Sequence, residues 1–458
     1  MADFPKLLTS RYELNESWLL STVEKHGAYE VARKALTTMK PEEIAAEVKE
    51  ANIRGRGGAG FPAGVKWGFI PKGNTKPVYL AVNGDEGEPG TFKDRTIMER
   101  DPHRLIEGCV ITLFAIGGHI AYIYVRCELV KAIRRLEDAI EEARQKGFIG
   151  DRPFGKDHKI EIYVQPGAGA YICGEESSLL NSLEGNRGEP RLRPPFPAVE
   201  GAFRCPTIVN NVETISSISE IVRMGGKAWS DLSRLPRDGG VRIYGVSGHV
   251  KNPGIYEAPV GISMRELVYD LGGGMLYENR PLKAVIPGGS STPVLRADDV
   301  VNAPGENDPL HAWQGKSHLD VPMGADTYRA LGTMLGTCCA TVMDNSVNMV
   351  EVARNLIHFY AHESCGQCTP CREGSAWMRD ILDNLCRGKG RKEDVRLLVE
   401  IANNIMGNTI CAFGDGMSMP MLGLVQKFYD EFLEAAKNGV PGSPLGDSAK
   451  ELMLGSGA

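Results

Sequence analysis

The chemistry-bearing residues of this chain are densest in AHESCGQCTPCREGS, where Cys365, Cys368 and Cys371 stand at C-x-x-C-x-x-C spacing. Three thiols within seven residues cannot all pair as disulfides, but they can converge on a metal. Thiolates select zinc, copper(I) or iron–sulfur clusters. Structural zinc sites usually draw on two separated ligand pairs. Three ligands from one short loop plus a distant fourth is closer to a [4Fe-4S] site, and zinc stays open on this segment alone. The fourth thiolate comes from Cys386 or Cys411. Cys386 ends an amphipathic stretch stopped by Gly388, and a helix there carries it roughly 20 Å from the triplet at 1.5 Å per residue. Cys411, in the glycine-rich bend NTICAFGDG, can return to the metal and is the better candidate. Cys338, Cys339 and Cys173 read as packing thiols.

A second concentration is IRGRGGAGFPAGVKWGF. Gly55, Gly57 and Gly60 match G-x-G-x-x-G, but a predicted helix precedes them where a Rossmann fingerprint has a strand. The physical content survives that mismatch. Six glycines from Gly55 to Gly68 allow close backbone approach and turn N–H groups toward an anion. Arg54, Arg56 and Lys66 add charge suited to phosphate, and Phe61 and Trp67 offer aromatic faces. The plainer reading is a surface loop. Next, the strand PVYLAVN runs into Asn83, Asp85, Glu86 and Glu88, which places an amide and carboxylates at its carboxyl end, where open α/β sheets bind ligands. A second glycine-rich loop, PGAGAYICGEES, leaves the strand KIEIYVQ and feeds a helix, an arrangement suited to an anion or a flavin edge. Glu175 and Glu176 at that helix start also serve as dipole caps. Residues 185–206 hold five prolines and four arginines. They form an extended basic strip, with Phe196 as a stacking face.

Several elements must position these loops. Residues 15–52 read as helices, one opened by Pro41 with acids in its first turn. Residues 103–164 alternate helix, strand, helix, strand, which implies a parallel sheet covered by helices. The apolar run Cys109–Val125 contains Gly117, Gly118 and His119 and divides into a buried helix, a turn and a strand rather than a membrane span. A helix is predicted from about Thr214. Composition shifts over 227–240. Residues 241–325 read as a small α+β module, with a hairpin around a Pro-Gly turn, a short helix (SMRELVYDLGG) and a strand (KAVIPGG). From Arg329 the text is helical to about Lys437. The predicted layout is an N-terminal helical segment over 1–50, an α/β domain over 51–240, the α+β module over 241–328, a helical domain over 329–440 and a flexible tail over 441–458. The chain has 458 residues and a net charge of −6, so a nucleic-acid role has no electrostatic support. Eleven cysteines, an odd number, argue for a reducing compartment. The first residues lack an apolar signal core, so a cytoplasmic protein is expected, reaching a membrane through partners.

Six segments together, GRGGAGFPAGVKW, VNGDEGEPGTFKDR, AYICGEE, RPPFPAVEG, TIVNNVET and SCGQCTPCREG, resemble the family of flavin- and NADH-binding subunits of respiratory complex I, the bacterial NADH–quinone oxidoreductase. They are collinear with it from about residue 10 to residue 440. The resemblance implies FMN in a Rossmann-like α/β domain, a β-grasp module of the soluble-ligand-binding type, and an all-α bundle holding a [4Fe-4S] cluster. It implies FMN contacts from Gly55, Gly57, Lys66, Asn83, Asp85, Glu86, Tyr171, Gly174, Glu175, Val209, Asn210, Asn211 and Thr214. It implies NADH contacts from Phe61, Phe69, Glu88, Glu176, Arg193 and Phe196. The implied cluster ligands are Cys365, Cys368, Cys371 and Cys411. Arg193 departs from the K-P-P-F-P usual in the family; arginine keeps the charge and changes the geometry. Implied partners are a [2Fe-2S] subunit and a large iron–sulfur subunit, with the assembly peripheral to the inner membrane. Hydride transfer is then the cofactor's task and needs no general acid or base; Glu176 is expected to weaken nucleotide binding by its charge. The nearest rival is the diaphorase subunit of an NAD-linked hydrogenase or formate dehydrogenase. Such chains often carry further cysteine motifs, and this one has a single cluster motif. A zinc- and nucleotide-binding protein would be colourless, and a simple electron carrier leaves the glycine-rich half unexplained.

Overall fold

The computed structural model describes residues 4–444, so the predicted tail over 441–458 lies almost wholly outside the described residues. Strands β1 (Tyr79–Gly84), β2 (Ile120–Val125), β3 (Glu161–Pro166) and β4 (Thr207–Asn211) form a parallel sheet in the order β3-β2-β1-β4. The run Cys109–Val125 divides as its residues require. The helix Pro102–Ile116 ends at Gly117, which takes a left-handed φ of 67°, and β2 begins three residues later. The helix Val130–Gln145 buries Ala132, Leu136, Ala139, Ile140 and Ala143 along one face. In this register Asn83 of β1 stands beside Asn211 of β4 and Tyr124 of β2. Three loops leave the sheet at that common carboxyl edge.

The N-terminal helices are not a separate unit. Leu36 and Ala35 of the helix Glu30–Thr38, and Ile44 and Val48 of the helix Pro41–Glu50, share one apolar core with Leu80 and Val82 of β1. Ahead of them, the N–H groups of Leu7, Leu8 and Thr9 donate to the Glu257 carboxylate at 3.0, 2.8 and 2.9 Å, fastening this segment to the next sheet.

That sheet contains β5 (Val241–Gly248), β6 (Gly254–Pro259), β7 (Leu282–Ile286), β8 (Leu295–Arg296) and β9 (Cys339–Asp344), ordered β6-β5-β9-β7-β8. β5 and β6 form the expected hairpin around Pro253, and β9 runs parallel to β5 and antiparallel to β7. β9 departs from the sequence expectation of continuous helix after Arg329. CATVMD looks like the lead of the following helix, yet it buries five of its six residues at the centre of this sheet, where pairing on both sides outweighs local preference. The bundle therefore begins at Met349, where Asn348 caps the helix Met349–Glu363 by accepting from the Val350 and Glu351 N–H groups. The helices Thr369–Cys386, Lys392–Ile405, Phe413–Lys427 and Tyr429–Asn438 complete it. Gly374 lets two of them meet, since a Cβ there would lie 2.6 Å from Ile405 Cδ1. The bundle core is continuous with Tyr124, Ile172 and Val209 of the first sheet domain and Met343 of the second. Cys173, Cys338, Cys339 and Cys386 are buried free thiols. Among the described residues no helix is long and apolar enough to cross a membrane.

Candidate functional site

At the carboxyl edge of the parallel sheet lies a cavity of about 510 Å³. It gathers Gly55 and Gly57 from the first glycine loop, Asn83, Asp85, Glu86 and Glu88 from the segment after β1, Tyr171, Gly174 and Glu175 from the second loop, and Asn211 from the end of β4. Ser291 and Thr337 of the second sheet domain and Phe413 of the bundle close it. Asn83 ties two loops together: its Nδ2 donates to the Gly174 carbonyl (2.8 Å) and its Oδ1 accepts from the Asp85 N–H (3.0 Å). Gly57 sits so close to Asn211 that a Cβ would stand 3.1 Å from the asparagine Cβ.

Charge in this cavity is partly unmatched. The Asp85 side chain is 1% exposed and its Oδ1 faces Arg126 Nη1 at 3.4 Å, while its buried Oδ2 has no hydrogen-bond partner among the described residues. Burial pushes Asp85 up to about 7, against the pull of Arg126. Glu86 accepts from the Asp94 and Arg95 N–H groups at 2.7 and 2.9 Å, and burial raises it too, with the nearby Asp94 charge adding to the effect. Beneath them Lys93 is fully buried, with Nζ 2.8 Å from both Asp94 and Glu213. Asn211 Nδ2 donates to Asp94 at 2.7 Å, so the polar floor reaches the cavity wall. An orphaned carboxylate oxygen, a wall of glycines and convergent amides suit a ligand with hydroxyl and N–H donors, which is what the ribityl chain and ring of FMN present.

The remaining predicted contacts fall into three groups. Val209, Asn210 and Thr214 lie behind the cavity wall. Asn210 Oδ1 accepts from Trp67 Nε1 (3.0 Å), and Thr214 Oγ1 accepts from the Arg56 N–H (2.9 Å). Arg56 is buried, its guanidinium bonded to Asp238 at 2.7 Å and to the Gly239 and Val241 carbonyls at 3.0 and 3.2 Å. Asn210 and Thr214 hold the glycine loop and the helix after it in place, and none of Val209, Asn210 and Thr214 lines the cavity. Lys66, Glu176 and Arg193 sit to one side as an ion-pair chain. Glu176 takes Lys66 Nζ at 2.7 Å and Arg193 Nη1 at 2.9 Å, and Arg193 reaches Glu175 at 3.1 Å. Glu175 also caps its helix, accepting from the Ser177 and Ser178 N–H groups, so the capping reading and the lining reading both hold for it. Phe61 and Phe69 face each other with ring centres 5.8 Å apart; both are exposed, as is Phe196 on the proline-rich strip. Glu88 is held by the Tyr171 hydroxyl, by Ser290 Oγ (3.1 Å) and by the Ser291 N–H (2.7 Å).

Next to this cavity is a smaller one, ringed by Cys365, Cys368, Cys371 and Cys411 together with Ile172, Pro190, Thr409 and Phe413. Cys386 lies elsewhere, inside the bundle at the far end of its helix. The Ile410 N–H donates to Cys368 Sγ at 3.3 Å, and Ser364 Oγ is 3.2 Å from Cys371 Sγ. Burial pushes the Cys371 thiol up to about 11 and Cys411 up to about 12, so both are neutral thiols near pH 7, and their ionisation is favoured by a bound cation. Among the described residues no group of three or more His, Cys, Asp or Glu side chains is set to hold a single metal ion.

Sequence reasoning missed Lys93, Asp94, Arg126, Arg242 and Phe413. Lys93 and Asp94 stand in the quoted FKDR, whose charges give no local sign of burial, and Phe413 lies two residues past Cys411. Arg242, buried on the cavity wall, carries no local signal.

Comparison with known proteins assigns these features. Residues 48–220 match the family model of the Nuo51 FMN-binding domain, residues 243–295 the SLBB domain, and residues 351–435 the NADH-ubiquinone oxidoreductase-F iron-sulfur binding region. The chain is 47% identical over 430 residues to the F 2 subunit of the NADH-quinone oxidoreductase of Rhizobium meliloti, covering 94% of this chain and 97% of that one. It is 44% identical over 458 residues to the F subunit of the NADH-quinone oxidoreductase of Mycobacterium tuberculosis, covering 98% and 97%. Among solved structures, an NAD+-reducing [NiFe]-hydrogenase in the H2-reduced state aligns with a TM-score of 0.79 at 30% identity, covering 99% of this chain and 71% of that one. An FMN-binding domain and a 4Fe–4S region in one polypeptide define a flavin–iron–sulfur oxidoreductase of the NADH dehydrogenase type, with FMN and a [4Fe-4S] cluster as cofactors. The chain belongs to the family of NADH-quinone oxidoreductase F subunits. The diaphorase alternative rests on the more distant structural relative and is not favoured.

Proposed function

We propose that this chain is the electron-entry subunit of a respiratory NADH–quinone oxidoreductase, with the large cavity holding FMN and the four-cysteine cavity holding the cluster. The observation that carries the reading is convergence: ten predicted residues, from Gly55 to Asn211, meet in one cavity that abuts the ring of Cys365, Cys368, Cys371 and Cys411. FMN held there would supply acceptance of an electron pair as hydride and release of electrons singly, which suits a cluster that accepts one at a time.

The chain's own side chains do the positioning. Asn83, Asp85 and Asn211 offer acceptors and donors to the flavin's polar edge, and the glycines let its ring lie against backbone. Asn210 and Thr214 brace that wall from behind. Phe61, Phe69 and Phe196 present exposed faces for the adenine end of NADH. Lys66 and Arg193 supply charge beside them, offset by Glu175 and Glu176. Glu88, already occupied by three donors, acts as a fixed dipole at the nucleotide end. No residue need exchange a proton with substrate, because hydride transfer depends on proximity and alignment.

A cluster that receives electrons needs a docked acceptor, so the partners are a [2Fe-2S] subunit and a large iron–sulfur subunit, with the assembly on the cytoplasmic side of the inner membrane. Affinity purification of the tagged chain from solubilised membranes tests this. The expected result is co-purification of these subunits with NADH-driven quinone reduction; recovery with hydrogenase or formate dehydrogenase subunits instead would refute it.

A further inference from the structure

The flavin cavity and the cysteine cavity are lined in common by two residues, Ile172 and Phe413. Ile172 is 5% exposed and comes from the second glycine loop; Phe413 is 9% exposed and opens its helix two residues after Cys411. The Phe413 ring is not free to swing. Tyr360 packs edge-on against it at 5.6 Å between centres (81°), and Tyr171 lies at 5.9 Å. Phe359 packs at a tilt of 58° against Tyr171, 5.0 Å between centres, extending the cluster of rings. Both tyrosine hydroxyls are anchored in turn, Tyr171 on Glu88, and Tyr360 against Ser290 Oγ at 2.8 Å, which itself donates to Glu88. The first sheet domain, the second and the bundle each contribute to fixing one phenyl ring. A surface-directed loop residue would not need such a frame.

We propose that Phe413, with Ile172, is the partition between the two redox centres, a positioning residue that keeps the gap between flavin and cluster filled, dry and short. The inference rests on the proposed cofactor sites. Each transfer across this wall removes one electron from reduced flavin and places it on the oxidised cluster. Two transfers, with the cluster discharged to its acceptor between them, return the flavin to its oxidised form and release to solvent the proton that arrived with the hydride, together with any proton the reduced flavin had taken up from solvent. Filling the gap with packed carbon matters in two ways. Close-packed atoms leave no void for solvent to enter, and excluding water from the sulfurs helps set the cluster potential.

The test uses the purified complex under anaerobic conditions, mixed with NADH and freeze-quenched. Flavin bleaching and growth of the reduced-cluster EPR signal are followed on the same samples. In Phe413→Ala the ratio of cluster-reduction rate to flavin-reduction rate falls about tenfold, and deuteron couplings appear on the cluster signal in D2O. Phe413→Leu, which keeps an apolar filler, stays within about threefold of wild type. Ile172→Ala, on the other side of the wall, lowers the ratio in the same direction and serves if Phe413→Ala does not assemble. An unchanged ratio in variants that retain full flavin and iron overturns the proposal. Wild-type complex without flavin or without iron overturns the cofactor assignment itself, a distinct outcome.

Discussion

Replacing Asp85 by asparagine isolates the least satisfied charge in the flavin cavity. Its Oδ2 has no hydrogen-bond partner among the described residues, Arg126 approaches Oδ1 at 3.4 Å, and burial pushes the carboxyl up to about 7. Because the folded value lies above the ordinary one of 3.8, the contribution of Asp85 to stability is complete at low pH. It is lost as pH rises from about 4 through about 7, roughly 4 kcal/mol across that window. A ligand donor on Oδ2 reverses part of this loss by favouring the ionised form, so FMN binding releases a proton near neutrality and wild-type affinity rises with pH to a plateau above about 7. A hydrogen bond to a charged acceptor contributes about 1.5–3 kcal/mol and one to a neutral amide about 0.5–1.5. Asp85→Asn therefore weakens FMN binding at pH 8 by about 1–1.5 kcal/mol, roughly tenfold. The assay is fluorescence titration of flavin-depleted complex with FMN at pH 5.5 to 8.5. The phosphate's own ionisation near 6 cancels in the ratio of the two proteins. The expected ratio grows with pH to about tenfold; equal affinities at pH 8 would refute the assignment of Asp85 as a flavin acceptor.

Other predictions bear on different parts of the molecule. Cys411→Ser abolishes the [4Fe-4S] EPR signal while FMN content persists, and Cys386→Ser, buried in the bundle, leaves the signal intact. Arg56→Met strands Asp238 and frees the glycine loop, lowering stability by about 3–5 kcal/mol; a melting temperature within a degree of wild type would contradict it. Glu176→Gln loosens the grip on Lys66 and Arg193, and since partly exposed pairs contribute about 0.2–1 kcal/mol each, calorimetry should find NADH or NAD+ bound several-fold more tightly; unchanged affinity excludes the role given to Glu176.

What was legible in the sequence is what local physics dictates. Strand–helix alternation with a parallel sheet, the stop at Gly117, the Pro-Gly hairpin and the three-cysteine loop each express short-range geometry. Cys411 was legible because the competing Cys386 lies at the end of a rigid helix. The unreadable parts depend on contacts distant in sequence. β9 is a strand because β5 and β7, more than fifty residues earlier, flank it. Residues 7–9 belong with Glu257, about 250 residues on. Lys93 reads as a surface lysine until Asp94 and Glu213 close around it. That Asn210 and Thr214 bond to Trp67 and to the Arg56 N–H rather than line the cavity was not legible, since a motif does not say which of its residues face inward.

The most direct measurement is anaerobic isolation of the chain with its partners, followed by optical and EPR spectra before and after NADH. The account predicts one FMN and one [4Fe-4S] cluster per chain, the flavin bleached and the cluster signal raised by NADH. A colourless chain, with zinc between Cys365, Cys368, Cys371 and Cys411 and no response to NADH, would contradict it.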